Sequence, residues 1–170
     1  FSLDYIDGWE GRNLLTTYFG WGIPDILGGL DAQDSQGSRQ GAGGRFVRLN
    51  GQMKRLQQMP WDCFLILNGV GQYSFDKLPL PEQIFIGGVD TVRGYKLAEA
   101  LGDSGFYVNV ELRVPLPFLR DHTVPWSKKK WSEFLQIVGF IDHGQTFTIG
   151  ADNIFENIDD SAGERERVPV

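Results

Sequence analysis

The sequence holds a single cysteine and only two histidines in 170 residues. One thiol excludes an internal disulfide framework and a cysteine-rich zinc site, and two histidines are too few for a His-based metal centre. Neither a metal nor a cofactor is expected. Basic residues are also in deficit, with 16 Lys and Arg against 22 Asp and Glu, a net charge of −6. That balance argues against a nucleic-acid binder that works through bulk charge. No apolar run approaches the roughly 18 residues of a membrane-crossing helix. The membrane is not thereby excluded, because barrel strands alternate and never form such a run. The chain further lacks an initial Met and a signal peptide, and Phe1 opens within strand-like pattern. It reads as an internal piece of a longer mature protein.

Helical periodicity is nearly absent, while period-two alternation recurs in segments of about ten residues. The clearest covers 106–114, where Phe106, Val108, Val110, Leu112 and Val114 share one face. Tyr107, Asn109, Glu111 and Arg113 share the other, because successive strand side chains point to opposite faces. Similar segments lie at 1–7, 13–22, 45–57, 61–75 and 134–146, giving about six strands. Their connections alternate, with short turns at 8–12 and 58–60 and long loops at 24–44 and 76–104. Short turns at one end and long loops at the other are the layout of a transmembrane barrel. The connection 115–133 breaks that layout, and the acidic tail from residue 150 reads as loop. Six strands cannot seal a water-lined barrel, so either strands are missing or the chain is a soluble sandwich.

Catalytic signatures are lacking. There is no Gly-x-Ser-x-Gly elbow, and Gly41–Gly44 has no Lys-Ser/Thr after it. Asp142 and His143 are adjacent on a strand and face opposite sides, so they cannot form a dyad. The acidic groups near Asp31 and Asp152 lack the spacing of a calcium loop. No enzyme activity is expected. The five tryptophans (Trp9, Trp21, Trp61, Trp126, Trp131) fall near strand ends, which suits an interfacial aromatic girdle.

The most informative stretch, Ile86 to Tyr95, lies inside the longest loop. Gly87, Gly88 and Gly94 permit a sharp fold-back, Arg93 offers a rigid donor fork, and Tyr95 has an amphipathic ring. Gly87-Gly88 followed by Val92-Arg93-Gly94-Tyr95 resembles the loop signature of the bacterial surface antigen superfamily. Gly102-Asp103-Ser104-Gly105 with Glu111-Leu112-Arg113-Val114-Pro115 resembles a strand of two-partner secretion transporters, the hemolysin activation/secretion (TpsB-type) proteins. Phe140-Ile141-Asp142-His143-Gly144 is similar to the F-x-D-x-G strand that follows it. The three occur in family order.

This resemblance implies an all-β, antiparallel transmembrane barrel of about sixteen strands. The segments here are then about six consecutive strands of its C-terminal half, with the long loop inserted in the lumen. Residues 1–170 would be a partial translocator domain, without the N-terminal POTRA domains and the final strands. The implied role is secretion of a partner exoprotein across the bacterial outer membrane, through a polar lumen gated by the VRGY loop. Its partners would be the polypeptide cargo, outer-membrane lipid and the rest of its own barrel, not nucleic acid. The implied site comprises the loop residues Gly87, Gly88, Val92, Arg93, Gly94 and Tyr95. Facing them are the lumenal Asp142, Glu111 and Arg113 and the strand motif Phe140, Asp142 and Gly144.

Two alternatives stand beside this reading: a barrel-assembly insertase of the same superfamily, and a soluble β-sandwich that binds carbohydrate. The loop middle, 87–95, is expected to be shielded and Arg93 docked. If Asp142 faces inward, so do Gln136, Val138 and Phe140, while Leu135, Ile137, Gly139 and Ile141 form an aliphatic outer row. Asp142 is the favoured acceptor for Arg93 on the family resemblance, and Glu111 the rival. Gly94 is expected to let the loop backbone approach the wall, and Gly144 to leave room on it.

Overall fold

The computed structural model describes residues 1–24, 38–39, 41–119 and 121–150. Most of the long 24–44 loop and nearly all of the acidic tail lie outside them. Six strands form one antiparallel sheet in the order β1-β2-β3-β4-β7-β8. They are β1 (Ser2–Ile6), β2 (Arg12–Gly22), β3 (Phe46–Met59), β4 (Cys63–Ser74), β7 (Ser104–Pro115) and β8 (Gln136–Phe147). The sheet is open, with β1 and β8 at its edges. A short second pair, β5 (Ile84–Ile86) with β6 (Ala100–Gly102), lies within the β4–β7 connection. The stretch that the sequence reading takes wholly as loop thus carries two short strands. Its isoleucines supply apolar weight that the glycines around them mask.

Register divides the sheet into two unlike faces, since residues directly paired across strands share a face. One face carries the row Leu3, Leu15, Met53, Gly69, Val108 and His143. Next to it runs Leu67, Val110 and Ile141, the last 74 % exposed. This apolar face is bare. The opposite face carries Lys54, Asn68, Asn109 and Asp142 in one row and Asn50, Gln72, Gly105 and Thr146 in another. Among the described residues there is no second sheet to cover the apolar side, as a sandwich would need. Four of the six buried apolar residues among those described, Leu78, Ile84, Ile86 and Val92, belong instead to the β4–β7 connection, seated on the polar face.

The turns explain the hairpins. At 7–11, Asp7 Oδ1 accepts the backbone N–H groups of Trp9 and Gly11, both at 3.0 Å, and its other oxygen binds Arg55. Hydrogen bonding to Arg55, offset in part by desolvation, holds the Asp7 carboxyl far below its usual range. The 3₁₀ turn Pro60–Asp62 places Trp61 and Asp62 at φ 66° and 58°, the backbone hand that a tight β-hairpin prefers. Each of these turns presents an exposed tryptophan, Trp9 or Trp61. The third connection at this end, 116–135, is ordered: Thr123 bridges Lys130, Val124 is buried, and Trp126 meets Trp131 edge-on at 5.9 Å. At the other end of the strands stand Trp21, Tyr73, Phe75 and Phe147, all exposed. The 12 residues of β4 rise about 3.3 Å each. At the usual barrel tilt of about 40° that is about 30 Å, enough to cross the roughly 25 Å apolar band of an outer-membrane barrel.

Candidate functional site

The β4–β7 connection folds over the polar face of the sheet. The buried Ile84 and Ile86 of β5 rest against β7 and β8. The wall receives them at glycines. A Cβ at Gly105 would lie 3.0 Å from the Ile84 methyl, and one at Gly144 would lie 3.0 Å from methyls of Ile86 and Val92. Gly144→Leu is therefore expected to lift the loop, at a cost of about 1–3 kcal/mol for overpacking. Faster hydrogen exchange at the β5 amides, with unchanged exchange in β3, is the signature to measure. Unchanged β5 exchange would show that the seat is not tight.

After β5 the chain reverses at Gly87-Gly88, with φ 114° and 103°. A side chain at Gly87 would collide with the Lys96 carbonyl. The reversal is tied by Gly87 N–H donating to Thr91 Oγ1 at 2.8 Å and Gly88 N–H to the Tyr95 carbonyl at 3.2 Å. Thr91 and Val92 are buried as a result, and Arg93 is delivered to the wall.

There the guanidinium meets two carboxylates. Its Nε and Nη2 donate to Asp142 Oδ2 and Oδ1, both at 2.7 Å, in the bidentate geometry that lysine cannot copy. The Arg93 backbone N–H adds a third bond to Oδ2 at 3.0 Å. Nη1 turns the other way, to Glu111 Oε2 at 2.8 Å, and Arg113 Nε holds the second oxygen of Glu111 at 2.7 Å. The guanidinium carbon stands 3.6 Å from the centre of the Phe140 ring, a cation–π contact. Asp142 is 3 % exposed. Its hydrogen bonds to Arg93, opposed by desolvation, leave the guanidinium more basic than usual. Arg93 thus engages Asp142 and Glu111 together rather than choosing one.

Asn109 completes the arrangement. Its Nδ2 donates to Asp142 Oδ1 at 2.9 Å and to the Thr91 carbonyl, and its Oδ1 accepts from Asn68 at 3.0 Å. Asn68, Asn109 and Asp142 are direct register partners on three adjacent strands. Pairing 106–114 antiparallel with 134–146 in the right register would have brought Asn109 beside Asp142. Without a register, nothing in the sequence singles it out from other inward polar residues.

Two expectations for this loop need correction. Gly87, Thr91 and Val92 are buried and Arg93 half-buried, but Val89 is 82 % exposed and Tyr95 61 % exposed, so 87–95 is shielded only in part. The sheet is open, and among the described residues no facing wall covers the far side of the loop. Nothing lies within 4 Å of a side chain built at Gly94. Its glycine serves a φ of 92°, not a close approach to the wall.

A second charged group went unassigned in the sequence. Asp103, directly before β7, is fully buried. Its Oδ1 accepts from Arg39 Nη1 at 2.5 Å, Leu78 N–H at 2.9 Å and Gln83 Nε2 at 3.0 Å. Its Oδ2 accepts from Ile149 N–H at 2.8 Å. Burial opposes its charge, but donation from Leu78, Arg39, Ile149 and Gln83 outweighs it and holds the carboxyl below its usual range. Among the described residues, no group of three or more His, Cys, Asp or Glu is placed to hold a metal ion. The arrangement holds a loop against a wall, and it offers no nucleophile paired with a base.

The family model for the haemolysin secretion/activation protein ShlB/FhaC/HecB matches the chain over residues 15–153. Comparisons with curated proteins and with solved structures returned no match.

Proposed function

The chain belongs to the haemolysin secretion/activation protein family, a family of polypeptide secretion proteins, and from that premise we propose that its long loop gates a lumen through which an exoprotein passes. Residues 1–170 are then one part of an outer-membrane barrel, with POTRA domains and further strands supplied by the rest of the protein. Lipid covers the bare apolar face, and the polar face lines the path. The cargo is an extended polypeptide, whose backbone donors and acceptors suit a wall of Asn, Gln and mixed charges. No cofactor or catalytic step is required. The alternative of an insertase shares the loop, but the matching family is the secretion one.

The observation that carries this reading is the seating of the loop across the polar face by Arg93, Asp142 and Glu111. It blocks that face through ion pairs set beside the buried Ile84, Ile86 and Val92, with no covalent link. Ile86→Cys with Gly144→Cys, in a Cys63→Ser background, places two thiols where a Cβ built at Gly144 lies 3.0 Å from an Ile86 methyl. In the full-length transporter, oxidation is expected to reduce cargo secretion at least tenfold, and reductant to restore it. Equal secretion in both redox states would end the gating proposal, because the locked loop would then be compatible with transport.

A further inference from the structure

Asp103 stands at the root of the long loop, ten residues after Arg93, and the proposal above leaves it without a role. A fully buried carboxylate with four donors is unusual enough to need a cause, since desolvating it is costly unless every lone pair is used. The donors come from three separate segments at the long-loop end of the sheet. Arg39 lies in the β2–β3 connection, Leu78 and Gln83 in the outgoing limb of the long loop, and Ile149 just beyond β8. Asp103 itself ends the returning limb. One side chain thus ties both limbs of the loop to each other and to its neighbours on either side.

We infer that Asp103 is the positioning residue of the gate: it fixes the pivot from which the loop swings, so that Arg93 returns to Asp142 and Glu111 after each opening. The inference rests on the reading of the loop as a gate. The two contacts differ in kind. Burial is alike at both, with Asp142 3 % and Asp103 0 % exposed, but Arg93 alone gives Asp142 three of its four hydrogen bonds, whereas Asp103 accepts from four different residues, two of them through backbone N–H groups. Backbone donors cannot rotate away, so the root holds its geometry when the tip lets go. An asparagine at this position presents an amide N–H₂ to at least one of these donors and cannot replace the carboxylate. Arg39 contributes one of the four donors, so its loss alone leaves the root tied.

The test uses the full-length transporter in lipid vesicles, in a Cys63→Ser background, with spin labels at Val89 near the loop tip and Met53 on the apolar face. Pulsed electron spin resonance reads the distance between them. Arg93→Ala is expected to move the label population to a second distance, and Asp103→Asn to broaden the distribution around the first. Arg39→Ala alone should leave it narrow. Lys77, beside the root, should become cut by trypsin about tenfold faster in Asp103→Asn, the factor expected for losing one hydrogen bond to a charged group. If Asp103→Asn fails to fold, as judged by heat-modifiable mobility, Arg39→Ala combined with Gln83→Leu removes both side-chain donors and should give the same broadening. A narrow, unshifted distribution in the folded root variant, with Arg93→Ala shifting it, would overturn the pivot and leave the gate intact. No shift in Arg93→Ala would instead remove the gate reading itself.

Discussion

Arg93→Ala is expected to undock the long loop and to raise amide exchange across β5 and Gly87 to Val92 by two orders of magnitude or more. The reason lies in what the substitution leaves behind. Asp142 is 3 % exposed and loses its bidentate partner, and Glu111 loses one of its two guanidinium donors. Removing one member of a buried ion pair typically costs about 3–5 kcal/mol, because the remaining charge stays desolvated and uncompensated. Asn109 still donates to Asp142, which places the loss toward the lower end of that range. Arg93→Lys should recover only part of it, since an ammonium reaches one carboxylate at a time and gives up the planar fork. A double-mutant cycle separates the two acceptors. Coupling of Arg93 with Asp142 should exceed coupling with Glu111, as two side-chain hydrogen bonds join the first pair and one the second. Strictly additive effects with both carboxylates would show that the loop is held by Ile84, Ile86 and Val92 alone.

The legibility of this site in the sequence was uneven, for physical reasons. Strand β7 is readable because it alternates without exception between Phe106 and Val114, and a period of two has few other meanings. Arg93 and Asp142 are legible through the family motif, and the inward facing of Asp142 through the aliphatic row that alternates with it. Strands β5 and β6 escaped notice because three residues each are too few to establish a period. Asp103 was visible only as part of a Gly-Asp pair. Its donors lie at positions 39, 78, 83 and 149, and no local pattern reports on contacts that distant. The sequence shows 115–133 only as a break in the loop layout, yet the Thr123–Lys130 bridge and buried Val124 make it a small ordered unit. Proline and lysine clusters conceal such order, since they look the same in a solvated loop.

The choice of a control for the apolar face follows from the same geometry. Val110→Lys places a charge in the row Leu67, Val110 and Ile141, midway along strands that run about 30 Å between aromatic ends. A lysine at the midplane of a barrel's lipid face costs about 2–4 kcal/mol, so refolding of the full-length protein into lipid should weaken by that amount. The neighbouring Asn109 is a natural comparison by alternation alone, and the sequence suggests that lysine there would cost little. The structure removes that expectation. Asn109 supports Asp142, the Thr91 carbonyl and Asn68, so a lysine there breaks the clamp as well as testing the face. Gln52 is the better control: it lies exposed on the polar face, paired with Thr16 and Val70 and away from the loop contacts. Gln52→Lys should change refolding by less than about 0.5 kcal/mol, as solvated surface changes usually do. The difference between the two lysines therefore measures what each face meets. Lipid on one side and water on the other predicts a gap of at least about 1.5 kcal/mol. Equal costs at Val110 and Gln52 would mean that both faces are wetted alike, and the bare apolar face would then have to be covered by protein rather than by lipid.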